Sequence, residues 1–204
     1  MRIILLRHGE TAWNVERRVQ GCSDISLNNN GVEQLTQTGK HIADSRMEID
    51  TILASPLQRA RRSAEIVAKA IDYPIDRIAI HPLFLERAFG VCEGMVYEEV
   101  KAAYPDGKYP GIETRAELFE RAAKAIAFCA DNYAGQTVLV AAHGAIIKAM
   151  LVAASRGKID YDDSIIWIDN GSYCILDGDV NSWKITYCNR KDQFVPRVVC
   201  VKKA

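Results

Sequence analysis

Two runs of the chain are apolar at every position, without the alternation that marks a half-exposed strand. They cover residues 3–6 and 138–142, and residues 51–54 form a shorter third run. Strands that are buried on both faces have this composition, and they occur mostly in parallel sheets covered by helices. The three runs therefore predict strands of a parallel sheet.

Three other segments are apolar at every third or fourth position, as helices with one buried face are. The first is predicted to start at a capping box over residues 55–58, with Pro56 at the first helical position. Its apolar stripe is Leu57, Ala60, Ala64, Val67, Ala68 and Ile71. The second follows a capping box over residues 114–117, with the stripe Leu118, Ala122, Ala125, Ile126, Cys129 and Tyr133. The third should follow Gly144 and run to Ala154.

The last part of the chain is patterned differently. Residues 183–187 alternate apolar with polar side chains, as an antiparallel edge strand does, and Asn-Gly at 170–171 and Asp-Gly at 177–178 separate short runs. The pattern predicts a three-layer α/β/α fold whose mostly parallel sheet carries an antiparallel edge. Residues 1–204 are expected to form a single domain, with a solvated basic extension at 189–204.

The composition is that of an ordinary globular protein. The 204 residues are 49% hydrophobic, and 26 Lys and Arg balance 26 Asp and Glu. This excludes disorder, collagen and coiled coil, and the zero net charge argues against a nucleic-acid partner. The apolar run at residues 3–6 is too short for a signal peptide or a membrane span, so a cytoplasmic protein with no membrane partner is expected. Six cysteines without a C-x-x-C pair are expected to be free thiols.

Unusual polar residues follow three of the predicted strands. Arg7 and His8 end the first strand, Arg59 lies in the first turn of the helix after the second, and His143 ends the run at 138–142. Ligands of open α/β sheets bind at the carboxyl ends of the strands, so these side chains are expected to converge. Arginine offers charged bidentate donors, and imidazole can act as nucleophile, donor or acid. The set therefore indicates a site for a dianionic phosphoryl group.

The same residues belong to a series of ordered sequence blocks. The blocks are Arg7-His8-Gly9-Glu10-Thr11-x-x-Asn14, Gln20-Gly21-x-x-Asp24, Ser55-Pro56-Leu57-x-Arg59-Ala60, Glu86-x-x-Phe89-Gly90-x-x-Glu93-Gly94 and Ala142-His143-Gly144. In this order they resemble the histidine phosphatase superfamily, also called phosphoglycerate mutase-like, from residue 2 to about residue 154. The pair Gln20-Gly21 is most similar to the broad-specificity and alpha-ribazole phosphatases.

The resemblance implies a metal-independent phosphoric monoester hydrolase of the histidine acid phosphatase type, which needs no cofactor. His8 would attack the phosphorus and become phosphohistidine, and Glu86 would protonate the leaving oxygen and then activate water. Arg7, Arg59 and His143 would hold the equatorial phosphoryl oxygens. The pKa of His8 would fall beside the two guanidiniums, which keeps the nucleophile neutral.

Weaker assignments complete the expected site. Asn14, Gln20 and the amides around Gly144 are implied to add neutral donors to the phosphate. Two other carboxylates of the matched blocks, Glu10 and Glu93, are alternatives to Glu86 as the acid. The expected partner is a small-molecule phosphate monoester. The sequence leaves open whether the protein forms a homodimer.

Two other functions are kept as alternatives. A cofactor-dependent phosphoglycerate mutase is the first, but the mutase branch carries a longer insertion, His-Tyr at the positions of Ala88-Phe89 and a polar residue in place of Ala145. These departures favour hydrolysis. A non-catalytic module that binds a phosphorylated ligand is the second, and the presence of every matched catalytic residue argues against it.

The region about 82–135 is expected to contain a lid. Aromatic side chains between residues 95 and 111 would either stack on the substrate or close a small satellite core, and neither is favoured. Cys22 and Cys92 are expected in loops that border the pocket, where thiol oxidation would modulate activity. Two histidines match no motif and are interpreted as structural or surface residues: His41 and His81.

Overall fold

A computed structural model describes residues 1–156, 158–162, 168–179, 182–190 and 193–199, with the backbone alone for Cys188, Arg197 and Val199. Within these residues one mixed sheet has the strand order β3-β2-β4-β1-β5-β6-β7. Its strands are β1 (Arg2–Arg7), β2 (Thr51–Ala54), β3 (Ala79–Ile80), β4 (Thr137–Ala142), β5 (Tyr173–Asp179), β6 (Ser182–Cys188) and β7 (Arg197–Val199). The first four are mutually parallel, and β5, β6 and β7 continue the sheet in antiparallel pairs. The predicted mixed sheet is confirmed.

Helices cover both faces of this sheet. They are α1 (Ala12–Val15), α2 (Asn29–Asp44), α3 (Gln58–Ala70), α4 (Tyr97–Ala103), α5 (Arg115–Asn132) and α6 (Gly144–Ala154), with 3-10 turns at Ile75–Arg77, Pro82–Phe84 and Gly90–Cys92. Apolar side chains of α5 and α6 form one core with one face of the sheet, and those of α2 and α3 form a second core on the opposite face. The three predicted layers are therefore present.

The central strand β1 shows why the first run of the sequence is apolar throughout. Ile3 and Leu5 point into the core under α5 and α6, whereas Ile4 and Leu6 point into the core under α2 and α3. All four are fully buried, as the unbroken apolar pattern predicts. The order of the strands places the carboxyl ends of β1, β2 and β4 beside one another.

The two predicted capping boxes have different outcomes. Thr114 and Glu117 form the reciprocal hydrogen bonds of a capping box at the start of α5, as predicted. The box at residues 55–58 is wrong, because α3 begins at Gln58 and has no side-chain cap. The hydroxyl of Ser55 instead lies 2.8 Å from a ring nitrogen of His143, so a tertiary contact takes the group that would cap the helix.

The C-terminal part needs three corrections. The residues 183–187 lie in an antiparallel strand as predicted, but β7 pairs with β6 and takes the edge position. The Asp-Gly pair at 177–178 lies inside β5 instead of separating two runs. The described part of the predicted solvated extension is only partly solvated: Val195 and Val198 are exposed, whereas the ring of Phe194 stacks on His41 with centroids 4.3 Å apart. Residues 191–192 and 200–204 of that extension lie outside the described residues.

Residues between 89 and 109 close a small satellite core, one of the two alternatives for the aromatic side chains of this region. Val19, Cys92 and Val100 are its buried members, and partly buried side chains surround them: Phe89, Met95, Tyr104 and Tyr109. Tyr97, in contrast, is exposed. No helix in the described part of the chain is long and apolar enough to cross a membrane.

Candidate active site

The carboxyl ends of three parallel strands bring together the four side chains that the sequence analysis grouped. His8 follows β1, His143 follows β4, and Arg59 is the second residue of the helix after β2. Arg59 and His143 are fully buried, His8 is 3% exposed, and the two imidazole centroids are 5.2 Å apart. Residues 135 positions apart in the sequence therefore share one small site at the sheet edge.

The tautomer of His8 follows from its nearest neighbour. Its Nδ1 lies 2.7 Å from the carbonyl oxygen of Gly9, which can only accept, so Nδ1 carries the proton and donates it. Burial lowers the pKa of His8 well below its usual value of 6.5, and the positive charges of Arg59 and Arg7 lower it further. A neutral ring with a proton on Nδ1 has its lone pair on Nε2. His8 is therefore prepared to act as a nucleophile.

Arg59 links His143 to a turn of the chain near the site. Its Nε donates to Nδ1 of His143 at 3.2 Å, and its two Nη atoms donate to the carbonyl oxygens of Gly21 and Ser23, each at 2.7 Å. Burial, followed by the charge of Arg59, lowers the pKa of His143 well below its usual value. The guanidinium is thus fixed in a definite plane beside the two imidazoles.

Glu93 holds the same turn from the other side. Its carboxylate accepts the N–H groups of Cys22 at 2.9 Å and Ser23 at 2.7 Å, the Ser23 hydroxyl at 2.6 Å and the N–H of Phe89 at 3.1 Å. Burial raises the pKa of Glu93, but these hydrogen bonds outweigh burial and lower it. A Cβ atom on Gly21 would lie 2.2 Å from Oε1 of Glu93, so only glycine fits there. These contacts give Glu93 an architectural role.

Glu86 lies at the N-terminus of α6. Its carboxylate accepts the N–H groups of Ala145 and Ile146 at 3.1 Å and of Arg87 at 2.9 Å. Donors at a helix N-terminus favour negative charge, which explains how a carboxylate that is 8% exposed is tolerated. The neighbouring guanidinium of Arg7 donates to the carbonyl oxygen of Ile168 at 2.8 Å.

Asn14 and Gln20 both contact Thr11, which lies three residues after His8. Oδ1 of Asn14 accepts from the N–H of Thr11 at 3.0 Å and from the side chain of Asn170 at 3.2 Å. Nε2 of Gln20 donates to the Thr11 hydroxyl at 2.7 Å. Because Oδ1 of Asn14 already accepts these bonds, Nδ2 is the atom with which Asn14 would donate to a phosphate.

Glu10, the other alternative acid, is bound to the start of α2. Its Oε1 accepts from the side-chain amides of Asn28 and Asn30, both at 2.9 Å. The backbone N–H of Glu10 donates to Oε1 of Gln34 at 3.0 Å. Glu10 therefore joins the His8 segment to α2.

Sequence reasoning missed residues that support the site from distant segments. Arg121 of α5 donates to the carbonyl oxygens of Leu85 at 2.6 Å and Glu86 at 3.3 Å. Asn170 donates to the carbonyl oxygen of His8 at 3.1 Å, and the N–H of Gly171 donates to the same oxygen at 3.1 Å. Apart from the Asn-Gly turn signal at 170–171, nothing in the sequence near these residues marks a site.

The two cysteines expected at the pocket differ from each other. Cys92 is fully buried in the satellite core, so its predicted position at the pocket border is wrong. Cys22 is exposed on the turn that Arg59 and Glu93 hold. Burial, followed by the carboxylate of Glu93, raises the pKa of the Cys22 thiol, which disfavours the reactive thiolate. The described cysteines Cys22, Cys92, Cys129 and Cys174 are free thiols, as predicted; the Cys188 side chain and Cys200 lie outside the described part.

The arrangement defines a class of protein: an α/β fold with the buried Arg59, the partly buried Arg7, two histidines whose pKa values burial lowers and a carboxylate at the carboxyl ends of parallel strands. Such a group can bind a phosphoryl group and form a bond to it. In the described ranges, His, Cys, Asp and Glu side chains form no group of three that could hold a metal ion.

The chain belongs to the histidine phosphatase superfamily (branch 1), whose family model matches residues 3–191. It is 41% identical over 155 residues to the "Uncharacterized phosphatase PhoE" of Bacillus subtilis, covering 76% of this chain and 78% of that protein. It is 32% identical over 192 residues to the "Probable phosphoglycerate mutase GpmB" of Klebsiella pneumoniae, covering 90% and 87%. The solved structure of YhfR from Bacillus stearothermophilus superposes with a TM-score of 0.79 at 28% identity, covering 89% and 93%.

Proposed function

We propose that the protein is a metal-independent phosphomonoester hydrolase that works through a phosphohistidine on His8. The observation that carries this proposal is the geometry of His8, whose Nδ1 is bound to the Gly9 carbonyl, whose lone pair is on Nε2 and whose ring lies in the field of Arg59 and Arg7. The proposed substrate is a small phosphorylated metabolite, and the proposed location is the cytoplasm.

In the first step, Nε2 of His8 attacks the phosphorus and forms a P–N bond while the ester P–O bond breaks. Glu86 enters the cycle protonated, having taken a proton from solvent beside the bound phosphoryl dianion, and gives this proton to the leaving oxygen, so the alcohol leaves neutral. In the second step, Glu86 takes a proton from water, the water oxygen attacks phosphorus, and the P–N bond breaks. Inorganic phosphate leaves, and both His8 and Glu86 return to their starting states.

Positive and neutral donors stabilise the charge of the transferring phosphoryl group. Arg7 and Arg59 supply fixed guanidinium charges, and Asn14 and the N–H of Gly144 at the start of α6 add hydrogen bonds. His143, whose ring nitrogens contact Arg59 and Ser55, lines the site beside His8 and orients the guanidinium that holds the phosphoryl oxygens. Gln20 is assigned a weaker contact at the entrance of the site. Because loose phosphoryl transfer needs positioning and charge stabilisation, these side chains suffice for the chemistry.

The experiment is hydrolysis of a panel of phosphomonoesters by the purified protein in EDTA, with free phosphate as the readout. The panel includes p-nitrophenyl phosphate, 3-phosphoglycerate and alpha-ribazole phosphate. We expect phosphate release and an acid-labile phosphoprotein after rapid quenching, both abolished in His8→Ala. The matched control is His41→Ala, which removes a histidine of α2 that stacks on Phe194 and should leave both readouts intact. Full activity of His8→Ala would exclude the nucleophile assignment.

A phosphoglycerate mutase is the alternative, and the relative named a probable mutase makes it worth testing. Formation of 2-phosphoglycerate from 3-phosphoglycerate in the presence of bisphosphoglycerate, with little free phosphate, would identify a mutase. Ala88, Phe89 and Ala145 occupy positions where the mutase branch has other residues, which favours hydrolysis. Binding of phosphate without either reaction would indicate a non-catalytic module.

A further inference from the structure

His143 has a partner on each ring nitrogen, and this fixes its tautomer. Nε of Arg59 donates to Nδ1 at 3.2 Å, and because a guanidinium is always protonated, Nδ1 has to be the acceptor. The proton of the neutral ring therefore resides on Nε2. The Oγ of Ser55 lies 2.8 Å from Nε2 and accepts this proton. The opposite tautomer would place an N–H of the ring against the N–H of Arg59.

We propose that Ser55 is a positioning residue for the reaction: its hydroxyl accepts the Nε2 proton of His143 and, together with Arg59, keeps the ring in one tautomer and one orientation, so that Nδ1 orients the guanidinium of Arg59. The effect of Ser55 reaches Arg59 through the imidazole. The effect on rate rests on the proposed hydrolase function, whereas the effect on the tautomer does not.

The backbone around Ser55 is suited to this task. The residue follows β2, is fully buried, and donates its N–H to the carbonyl oxygen of Ala141 at 3.0 Å. Its hydroxyl is thus held at the carboxyl end of β2, beside β4. Such a fixed acceptor can hold an imidazole in one orientation, as partners of metal-bound histidines do.

The chain of hydrogen bonds continues beyond His143. Arg59 donates to the carbonyl oxygens of Gly21 and Ser23 in the neighbouring turn. The carboxylate of Glu93 accepts an N–H group of the same turn. Ser55 therefore stands at one end of a continuous polar network at the phosphoryl-binding site. The hydrogen bonds of such a network strengthen one another, so removing a group at one end weakens the hydrogen bonds of the other groups.

The direct test is the imidazole nitrogen spectrum of ¹⁵N-histidine-labelled protein, in which protonated and unprotonated ring nitrogens have distinct shifts. For His143 we expect a protonated Nε2 and an unprotonated Nδ1 in the starting protein. In Ser55→Ala the buried Nε2–H has lost its acceptor, so the ring turns away from Arg59 and should give a mixed pattern. Ser55→Cys, a near-isosteric change to a weak acceptor, should give an intermediate one. Ser172→Ala, which removes another fully buried hydroxyl, should leave the His143 signals unchanged.

Kinetics supply the second readout. We expect kcat to fall roughly tenfold in Ser55→Ala with KM changed less than about twofold, because a misoriented Arg59 weakens transition-state more than ground-state binding. An unaltered tautomer in folded Ser55→Ala would overturn the proposal. A changed tautomer with unchanged kcat would overturn the catalytic role alone. If the starting protein hydrolyses nothing, the hydrolase function fails, while the spectrum still decides the role of Ser55 in fixing His143.

Discussion

The guanidinium of Arg121 pairs with both carboxylate oxygens of Glu113, with Nε 2.8 Å from Oε1 and Nη2 2.7 Å from Oε2. The two side chains are only 19% and 15% exposed. The same guanidinium donates to the carbonyl oxygens of Leu83, Leu85 and Glu86. A partly buried ion pair between Arg121 of α5 and Glu113, which precedes this helix, therefore lies against the segment that presents the proposed general acid.

Replacing Arg121 should damage both stability and rate. Arg121→Met leaves the Glu113 carboxylate partly buried without its partner, so we expect a loss of about 3–5 kcal/mol in the free energy of unfolding. The carbonyl oxygens around Glu86 also lose their donor, and kcat should fall about tenfold or more. Urea denaturation and steady-state kinetics measure the two effects.

The same helix offers a matched control for Arg121. Arg115 forms a bidentate pair with Asp162 at 2.8 Å, but these side chains are 53% and 63% exposed. Arg115→Met should cost less than about 1 kcal/mol and leave kcat unchanged. Equal effects of the two substitutions would mean that burial of the Arg121 pair has no special consequence.

Glu86→Gln tests the acid through the leaving group. The amide oxygen of glutamine can still accept from Ala145 and Ile146, but the side chain cannot give up a proton to the ester oxygen. We expect kcat to fall about 10²–10⁴-fold for alkyl phosphates. The fall should be much smaller for p-nitrophenyl phosphate, whose leaving group departs as a stable anion. A loss that is independent of the leaving group would contradict a role in proton donation.

Glu93→Gln should behave differently, because Glu93 organises the turn bound to Arg59. A neutral side chain accepts the four hydrogen bonds from Cys22, Ser23 and Phe89 less strongly, so we expect a loss of about 1–3 kcal/mol in the free energy of unfolding. Any fall in rate should be the same for alkyl and nitrophenyl esters. Stronger loss with poor leaving groups would reassign the acid to Glu93.

The buried histidines make stability depend on pH. Burial and neighbouring guanidiniums hold the pKa values of His8 and His143 well below 6.5 in the folded protein. The unfolded chain binds protons at these residues below about pH 6.5, while the folded one does not. Stability should thus be fully present above about pH 7 and fall as the pH is lowered towards 5, by up to about 1.4 kcal/mol per pH unit for each histidine.

Urea denaturation between pH 8 and 5 measures this slope. Burial also lowers the pKa of the partly exposed His41, which adds to the slope of the starting protein. His8→Gln removes one of the contributing groups and should make the decline shallower. The same slope in His8→Gln and the starting protein would show that His8 is not held neutral by the fold.

Local sequence patterns were sufficient for the centre of the fold and for the four charged or aromatic groups of the site. Residues 3–6 and 138–142 are apolar at every position because both faces of their strands are covered. Arg7, His8 and His143 were placed correctly because Arg7 ends such a strand and the two histidines come directly after one, and parallel neighbours bring their ends together. These relations depend on short stretches of chain.

The supporting contacts depend on long stretches of chain and leave no local signal. Arg121 has the sequence pattern of an ordinary charged residue on an amphipathic helix, and its hydrogen bonds to the carbonyl oxygens of Leu83 and Leu85 join segments that are 38 and 36 residues apart. Ser55 has the local sequence pattern of a helix cap, but in the folded protein its hydroxyl contacts the buried imidazole of His143 instead. Phe194 lies in a basic segment, and its apolar ring is covered only because His41 is nearby in space.

The position of β1 in the sheet has a consequence for the order of events during translation. β1 leaves the ribosome before both of its partner strands, which pair with it through residues 137–142 and 173–177. The nascent chain therefore carries an apolar strand with unsatisfied edges until these residues have been made. The hydrogen bonds to the His8 carbonyl oxygen form only after Asn170 and Gly171 have emerged, so the site cannot be complete on the ribosome before that point.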